Sequence, residues 1–144
     1  MMKKRVLFIC EHNSARSQIA SAYLRKYGSD DYDVESAGLE PTVLNPLAVA
    51  VMKEAGIDIS DQKPLSVFDL FKQGNLYHTI ITVCQPAADK CPIFPGVAKR
   101  LHWPFDDPAQ FTGTREEKLF QTRQVRDRIE EAVKEWISEN RIPE

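Results

Sequence analysis

The chain has 144 residues, 42% of them hydrophobic and 28% charged, with a formal net charge of -2, an ordinary balance for one globular domain with a real core. No basic surplus is available to neutralise phosphates, which argues against nucleic-acid binding. The apolar run Val6 to Cys10 is too short for a secretory core or a membrane span and no other stretch approaches that length, so a cytoplasmic, membrane-independent, monomeric protein with a single domain over residues 1–144 is expected.

Val6 to Cys10 reads as a strand buried on both faces, as at the centre of a parallel sheet. A tight loop follows. From about Arg16 to Tyr27 the residues Ile19, Ala20, Ala22, Tyr23 and Leu24 recur at helical spacing, and Gly28 stops the helix. Tyr32 to Ala37 supplies a second strand ended by Gly38, and Asn45 before Pro46 opens a helix to about Ala55 that Gly56 closes. Ser66 to Lys72 reads as a short helix, Tyr77 to Cys84 as another central strand, and Lys99 to Trp103 as a shorter one. Thr114 and Glu117 form a capping box before a final helix with the apolar stripe Phe120, Val125, Ile129, Val133, Trp136 and Ile137. Strands alternating with helices predict an α/β sandwich around a small parallel sheet. Ligands bind such sheets beyond the carboxyl ends of the strands, where Cys10, Cys84 and the segment after Trp103 converge.

Cys10-Glu11-His12-Asn13-Ser14-Ala15-Arg16-Ser17 has the spacing Cys-x5-Arg followed by Ser. Because it leaves a buried strand and enters a helix, its backbone N–H groups can curl into a nest aimed at an anion, reinforced by the helix dipole. The donors of Glu11, His12, Asn13, Ser14, Ala15, Arg16 and Ser17 are therefore the expected oxyanion-binding set, with the planar Arg16 fork clamping two oxygens. Cys10 belongs at the bottom, where the same donors favour a thiolate, and Ser17 is near enough in sequence to donate to its sulfur. His12 and Asn13 are residue types that tolerate left-handed backbone, as such a bowl demands. The competing reading makes Cys10 a small buried hydrophobe and Arg16 a solvated helix residue.

With this loop near its start and Ser36-Ala37-Gly38 further on, the chain resembles the low-molecular-weight protein tyrosine phosphatase superfamily. The resemblance runs from about Val6 to Trp136. It implies a three-layer sandwich around a four-stranded parallel sheet and a nucleophilic Cys10. It also implies a general acid at the Asp before Pro, Asp107, with Asp106 merely shaping the turn. Some relatives bind potassium beside the loop; Asn13 and Ser36 match that set but Ser21 replaces an expected Glu, so no metal and no resident cofactor are assigned. Ala15 and His12 stand where many family loops carry Cys and Gly.

A phosphatase needs one cysteine, whereas Cys84 and Cys91 add two more beside the loop. That segment and His102-Trp103-Pro104-Phe105-Asp106-Asp107-Pro108 resemble the thioredoxin-coupled arsenate reductases of the superfamily. The resemblance implies arsenate as substrate, with phosphate and sulfate as competitors, and thioredoxin as reductant. Arsenic then leaves with an electron pair when Cys84 attacks Cys10, and Cys91 carries the disulfide outward. Zinc binding is disfavoured because Cys-x6-Cys is not a usual zinc spacing, while two unrelated buried thiols remain the simple structural alternative. A phosphomonoester or phosphotyrosine hydrolase and a non-catalytic oxyanion or redox sensor are the competing functions. If the residues after Cys84 form a helix that starts with Pro86 and ends before Pro92, the Cα atoms of Cys84 and Cys91 stand roughly 10 Å apart, beyond disulfide range, so oxidation is expected to unwind part of that helix.

Overall fold

The computed structural model describes residues 3–84 and 92–140. Strands β1 (Lys4–Cys10), β2 (Tyr32–Gly38), β3 (Thr79–Thr82) and β4 (Lys99–His102) form one parallel sheet in the order β2-β1-β3-β4. The apolar run of β1 is central because it is covered on both faces: Val6, Leu7, Phe8 and Ile9 are all fully buried. Helix α1 (Arg16–Gly28) follows β1, α2 (Pro46–Glu54) and α3 (Val67–Lys72) follow β2, and α4 (Arg115–Glu139) closes the described chain.

Alternation along the strand assigns the two layers of cover. On one face Phe8 meets Trp103 at 6.0 Å between ring centroids, and Trp103 meets Trp136 of α4 at 6.4 Å. On the other, the Arg5 guanidinium lies 4.9 Å from the Tyr77 ring centre, Tyr77 meets Phe94, and Phe94 meets Phe71 of α3. Helices thus cover both faces, as the three-layer expectation requires. The chain goes from β1 to β2 on one side and then crosses to β3 on the other. The carboxyl ends of β1 and β3 therefore flank the crevice where such sheets hold ligands.

Two strands are shorter than their apolar sequences suggest. β3 covers Thr79–Thr82 rather than Tyr77 to Cys84, although single ladder bonds continue it, His78 N–H to the Arg5 carbonyl at 2.8 Å and Val83 N–H to Ile9 at 2.9 Å. β4 ends at His102, with Trp103 N–H still donating to Thr82 at 2.7 Å, so Trp103 turns its ring into the core just past the strand.

The helix starts follow the sequence signals with one exception. Asn45, Ser66 and Thr114 each accept a backbone N–H at the head of α2, α3 and α4, and Thr114 with Glu117 completes the capping box. α1 starts on Ala15 with no side-chain cap and no acidic residue in its first turn. Its leading N–H groups are left for something else. No helix among the described residues is long and apolar enough to cross a membrane.

The stripe on α4 is corrected at one position. Phe120 is 59% exposed, and the buried seam runs Leu119, Thr122, Val125, Ile129, Val133, Trp136 and Ile137. The reason is angular: at about 100° per residue Leu119 and Thr122 lie within about 60° of the centre of the seam, whereas Phe120 lies about 160° from it. Leu119→Ala is accordingly expected to cost about 2–4 kcal/mol in urea unfolding, and Phe120→Ala less than about 0.5 kcal/mol.

Candidate active site

The loop between β1 and α1 has every carbonyl turned outward. N–H groups from the segment after β2 take four of them: Leu39 donates to Cys10, Glu40 to Glu11, Thr42 to His12 and Asn45 to Ser14, at 2.7–3.2 Å. The Gln18 side chain takes the Asn13 carbonyl at 3.0 Å and Ile19 N–H takes that of Ala15 at 2.9 Å. With the carbonyls committed outside, the peptide N–H groups face the interior of the curve, beside the uncapped head of α1. That arrangement is an anion nest.

Asn13 makes the curve possible. It has φ 52°, the only non-glycine residue in left-handed backbone among those described, so His12 does not share this conformation as expected. Its N–H reaches back to Cys10 Sγ at 3.1 Å, its Nδ2 donates to Ser17 Oγ at 2.7 Å, and its Oδ1 accepts from Leu65 N–H at 2.9 Å. Ser17 Oγ in turn lies 2.9 Å from Cys10 Sγ, as the spacing predicted. Cys10, Asn13 and Ser17 are all buried. His12 is turned outward, its Nδ1 3.0 Å from the Glu40 carbonyl.

Gly38 explains why Ser36-Ala37-Gly38 accompanies the loop. A Cβ there would stand 2.7 Å from the Asn13 nitrogen and 2.8 Å from the His12 carbonyl carbon, so only glycine lets β2 pass beneath the turn.

Arg16, at the first position of α1, is almost fully buried and is held by the turn after β4. One guanidinium nitrogen donates to the Phe105 carbonyl at 3.2 Å, and the other lies 3.3 Å from Asp107 Oδ2. Glu11, Arg16, Phe105, Asp106, Asp107 and Gln110 line a cleft of about 420 Å³ at this mouth. A similar hollow at the amino ends of β1 and β2 also contains cations, but there Arg5 pairs with Glu35 and Arg25 donates to the Val34 carbonyl. The carboxyl-end cleft is the one that joins a nest to an oriented arginine.

The two aspartates divide their work differently from the expectation. Asp107 both meets Arg16 and caps the short 3-10 turn Pro108–Gln110, its Oδ1 accepting Ala109 N–H at 3.0 Å, while exposed Asp106 lies 3.8 Å from Arg128 on α4. A turn cap aimed at residue i+2 leaves the second carboxylate oxygen for Arg16, so one residue does both.

Cys84 is fully buried two residues past β3. Because Thr82 pairs with Ile9 and Val83 donates to the Ile9 carbonyl, the chain brings Cys84 level with the end of β1 at the base of the loop. Cys10 and Cys84 are not joined as a disulfide. Cys91 and the expected Cys84-to-Cys91 separation lie outside the described residues. Gln18, the Leu65 N–H and the Phe105 carbonyl were not expected at the site. The available signal for Gln18 was a polar residue one helical repeat before buried Ala22 on the apolar side of α1. No group of three or more His, Cys, Asp or Glu among the described residues is arranged to hold a metal.

A strand-end cysteine, an outward-carbonyl loop and a buried arginine at a helix start define an α/β protein with a Cys-x5-Arg loop. Residues 5–142 match the low molecular weight phosphotyrosine protein phosphatase family, and the chain belongs to it. It is 46% identical over 137 residues to an arsenate reductase of Shouchella clausii, covering 94% of this chain and 96% of that one. Among solved structures it resembles an arsenate reductase in the phosphate binding state, with a TM-score of 0.76, 30% identity and coverage of 96% and 98% of the two chains. It also resembles a thioredoxin-dependent arsenate reductase of Corynebacterium glutamicum, with a TM-score of 0.70, 31% identity and coverage of 95% of this chain and 61% of that one.

The closeness of β2 to the loop is testable. Gly38→Ala is expected to cost about 1–3 kcal/mol in urea unfolding, because the added methyl must push against backbone, and to weaken phosphate binding measured by calorimetry. Unchanged stability and affinity would remove Gly38 from the support of the loop.

Proposed function

We propose that this chain reduces arsenate to arsenite, with Cys10 as nucleophile and with the oxidising equivalents passed through Cys84 and Cys91 to thioredoxin. The observation that carries the reading is the second thiol buried at the base of the oxyanion loop. A hydrolase has no use for it. The family membership and the arsenate reductases among its relatives support the same choice.

In this reading arsenate sits in the nest, bound by the loop N–H groups from Glu11 to Ser17 and by the Arg16 fork. The Cys10 thiolate attacks arsenic and displaces a hydroxyl group, which takes, by way of the Asp107 carboxyl, a proton brought in on the arsenate itself and departs as water. Arg16 exchanges Asp107 for substrate as the anion enters, leaving that carboxyl beside the departing oxygen. The Cys84 thiolate then attacks Cys10 Sγ; the sulfur–sulfur bond forms, the sulfur–arsenic bond breaks, and its electron pair stays on arsenic, now trivalent. Cys91 attacks Cys84 Sγ, regenerating the Cys10 thiolate, and thioredoxin reduces the Cys84–Cys91 disulfide. The likeness to a thioredoxin-dependent reductase supports this last donor. Phosphate, of the same shape and charge, competes, and sulfate does so more weakly. All three sulfurs come from one chain, so the cycle needs only a monomer, and it belongs in the reducing cytoplasm.

The decisive measurement is arsenite formation with thioredoxin, its reductase and NADPH. Cys10→Ser is expected to abolish it, because a hydroxyl without its own base is not a comparable nucleophile. Cys84→Ser is expected to stop before arsenite release and Cys91→Ser after a single turnover. Turnover of an aryl phosphate but not arsenate, unaffected by both replacements, would make the chain a phosphomonoesterase instead.

Acid catalysis gives a second expected outcome. Asp107→Asn should lower kcat by roughly 10²–10⁴ without weakening phosphate binding, and Asp106→Asn should lower it by less than about tenfold. The reverse ranking in steady-state kinetics would reassign the acid.

A further inference from the structure

The hydrogen bonds beneath Cys10 run in one direction, and their origin is traceable. The Gln18 side chain is enclosed in the first turn of α1, and its terminal group lies 3.0 Å from the Asn13 carbonyl oxygen. A peptide carbonyl only accepts, so that group is the NH2. It is also 3.1 Å from an Asn13 side-chain atom, which must then be Oδ1. The Leu65 N–H, which can only donate, lies 2.9 Å from the same atom and demands the same assignment. Nδ2 is therefore the end that faces Ser17 Oγ, at 2.7 Å. Ser17 Oγ accepts there. Its one proton is left to point at Cys10 Sγ, 2.9 Å away, where Asn13 N–H supplies a second donor at 3.1 Å. Two hydrogen bonds of this sense stabilise a thiolate over a thiol.

We infer that Gln18 is a positioning residue for Cys10: together with the Leu65 N–H it holds the Asn13 amide with its NH2 end toward Ser17, and so turns the Ser17 hydroxyl toward the sulfur. With the amide reversed, Oδ1 would draw the Ser17 proton to itself and present the sulfur with a lone pair. The inference rests on Cys10 working as a thiolate, as proposed above, but its test involves no arsenate and stands or falls apart from the reduction reaction.

In a chain carrying Cys84→Ser and Cys91→Ser, Cys10 is the single thiol, and the pH profile of its alkylation by iodoacetamide reports the thiolate. Gln18→Met keeps the side-chain length and removes the donors. The pH of half-maximal rate is expected to rise by about half to one pH unit, the scale of a weakened charge-assisted hydrogen bond. With Ser17→Ala added, the same replacement is expected to move it by less than about 0.2, because the link through which Gln18 acts is gone. The charged side chains near the mouth, Glu11 and His12 on the loop, Arg16 on α1, and Asp106 and Asp107 after β4, are unchanged throughout. No rise with Gln18→Met, or an equal rise with and without the Ser17 hydroxyl, overturns the inference, since a merely structural residue would shift stability and not this coupling. Should Gln18→Met fail to fold, side-chain amide NMR of the unaltered chain decides. Contacts from the Asn13 NH2 protons to the Ser17 β-protons are expected, and contacts to the Leu65 amide proton in their place would refute the assignment.

Discussion

The turn from β1 into α1 must keep every carbonyl out of the space it encloses, and the rest of the site depends on that constraint. An inward carbonyl would place its negative end against an anion and cancel the N–H groups beside it. Asn13 at φ 52° reverses the chain at the needed point, Gly38 leaves room below, and the segment after β2 supplies donors for the outer surface. The same turn fixes Cys10 at a strand end and delivers Arg16 at the head of a helix with no side-chain cap. Substrate, in the proposed function, serves as the missing cap.

Arg16 illustrates how the resting site avoids an unpartnered buried charge. A guanidinium this enclosed would be costly alone, and Asp107 with the Phe105 carbonyl offsets that cost. Binding an oxyanion is then an exchange of one anionic partner for another, so its net gain is smaller than the contacts suggest. Because Asp107 also caps the turn at Pro108–Gln110, the exchange acts on the whole turn after β4 and links occupancy of the nest to the wall of the cleft.

Much of this was legible in the sequence because the signals were local. The buried strand, the helix openings at Asn45 and Thr114, and the Cys10 to Ser17 spacing each depend on near neighbours, and the structure holds them. What escaped depends on distant parts of the chain. Phe120 has the apolar character of a core residue but stands at an angle on the helix that faces solvent. Gln18 and Leu65 act on Asn13 through contacts whose direction is set by backbone groups, and no spacing rule reports that. Asp107 was separable from Asp106 by the following proline, but its double attachment to Ala109 and Arg16 required the fold.

Fold and loop alone do not choose between hydrolysis and reduction, since the same nest stabilises either adduct on Cys10. The choice lies in what attacks next. Water reaches the bound centre from the mouth, past Asp107, and severs the adduct without changing oxidation state. A thiolate must instead strike Cys10 Sγ, in line with the bond to the departing arsenic, and a thiol arriving through the mouth would collide with the oxyanion it has to expel. A thiol beneath the strand ends meets no such obstacle. The parallel register of β1 and β3 brings fully buried Cys84 to that level, where no macromolecular reductant can touch it. In the proposed cycle a disulfide formed there is carried outward before a protein partner reduces it, and that is the part the proposal gives to a third sulfur, Cys91.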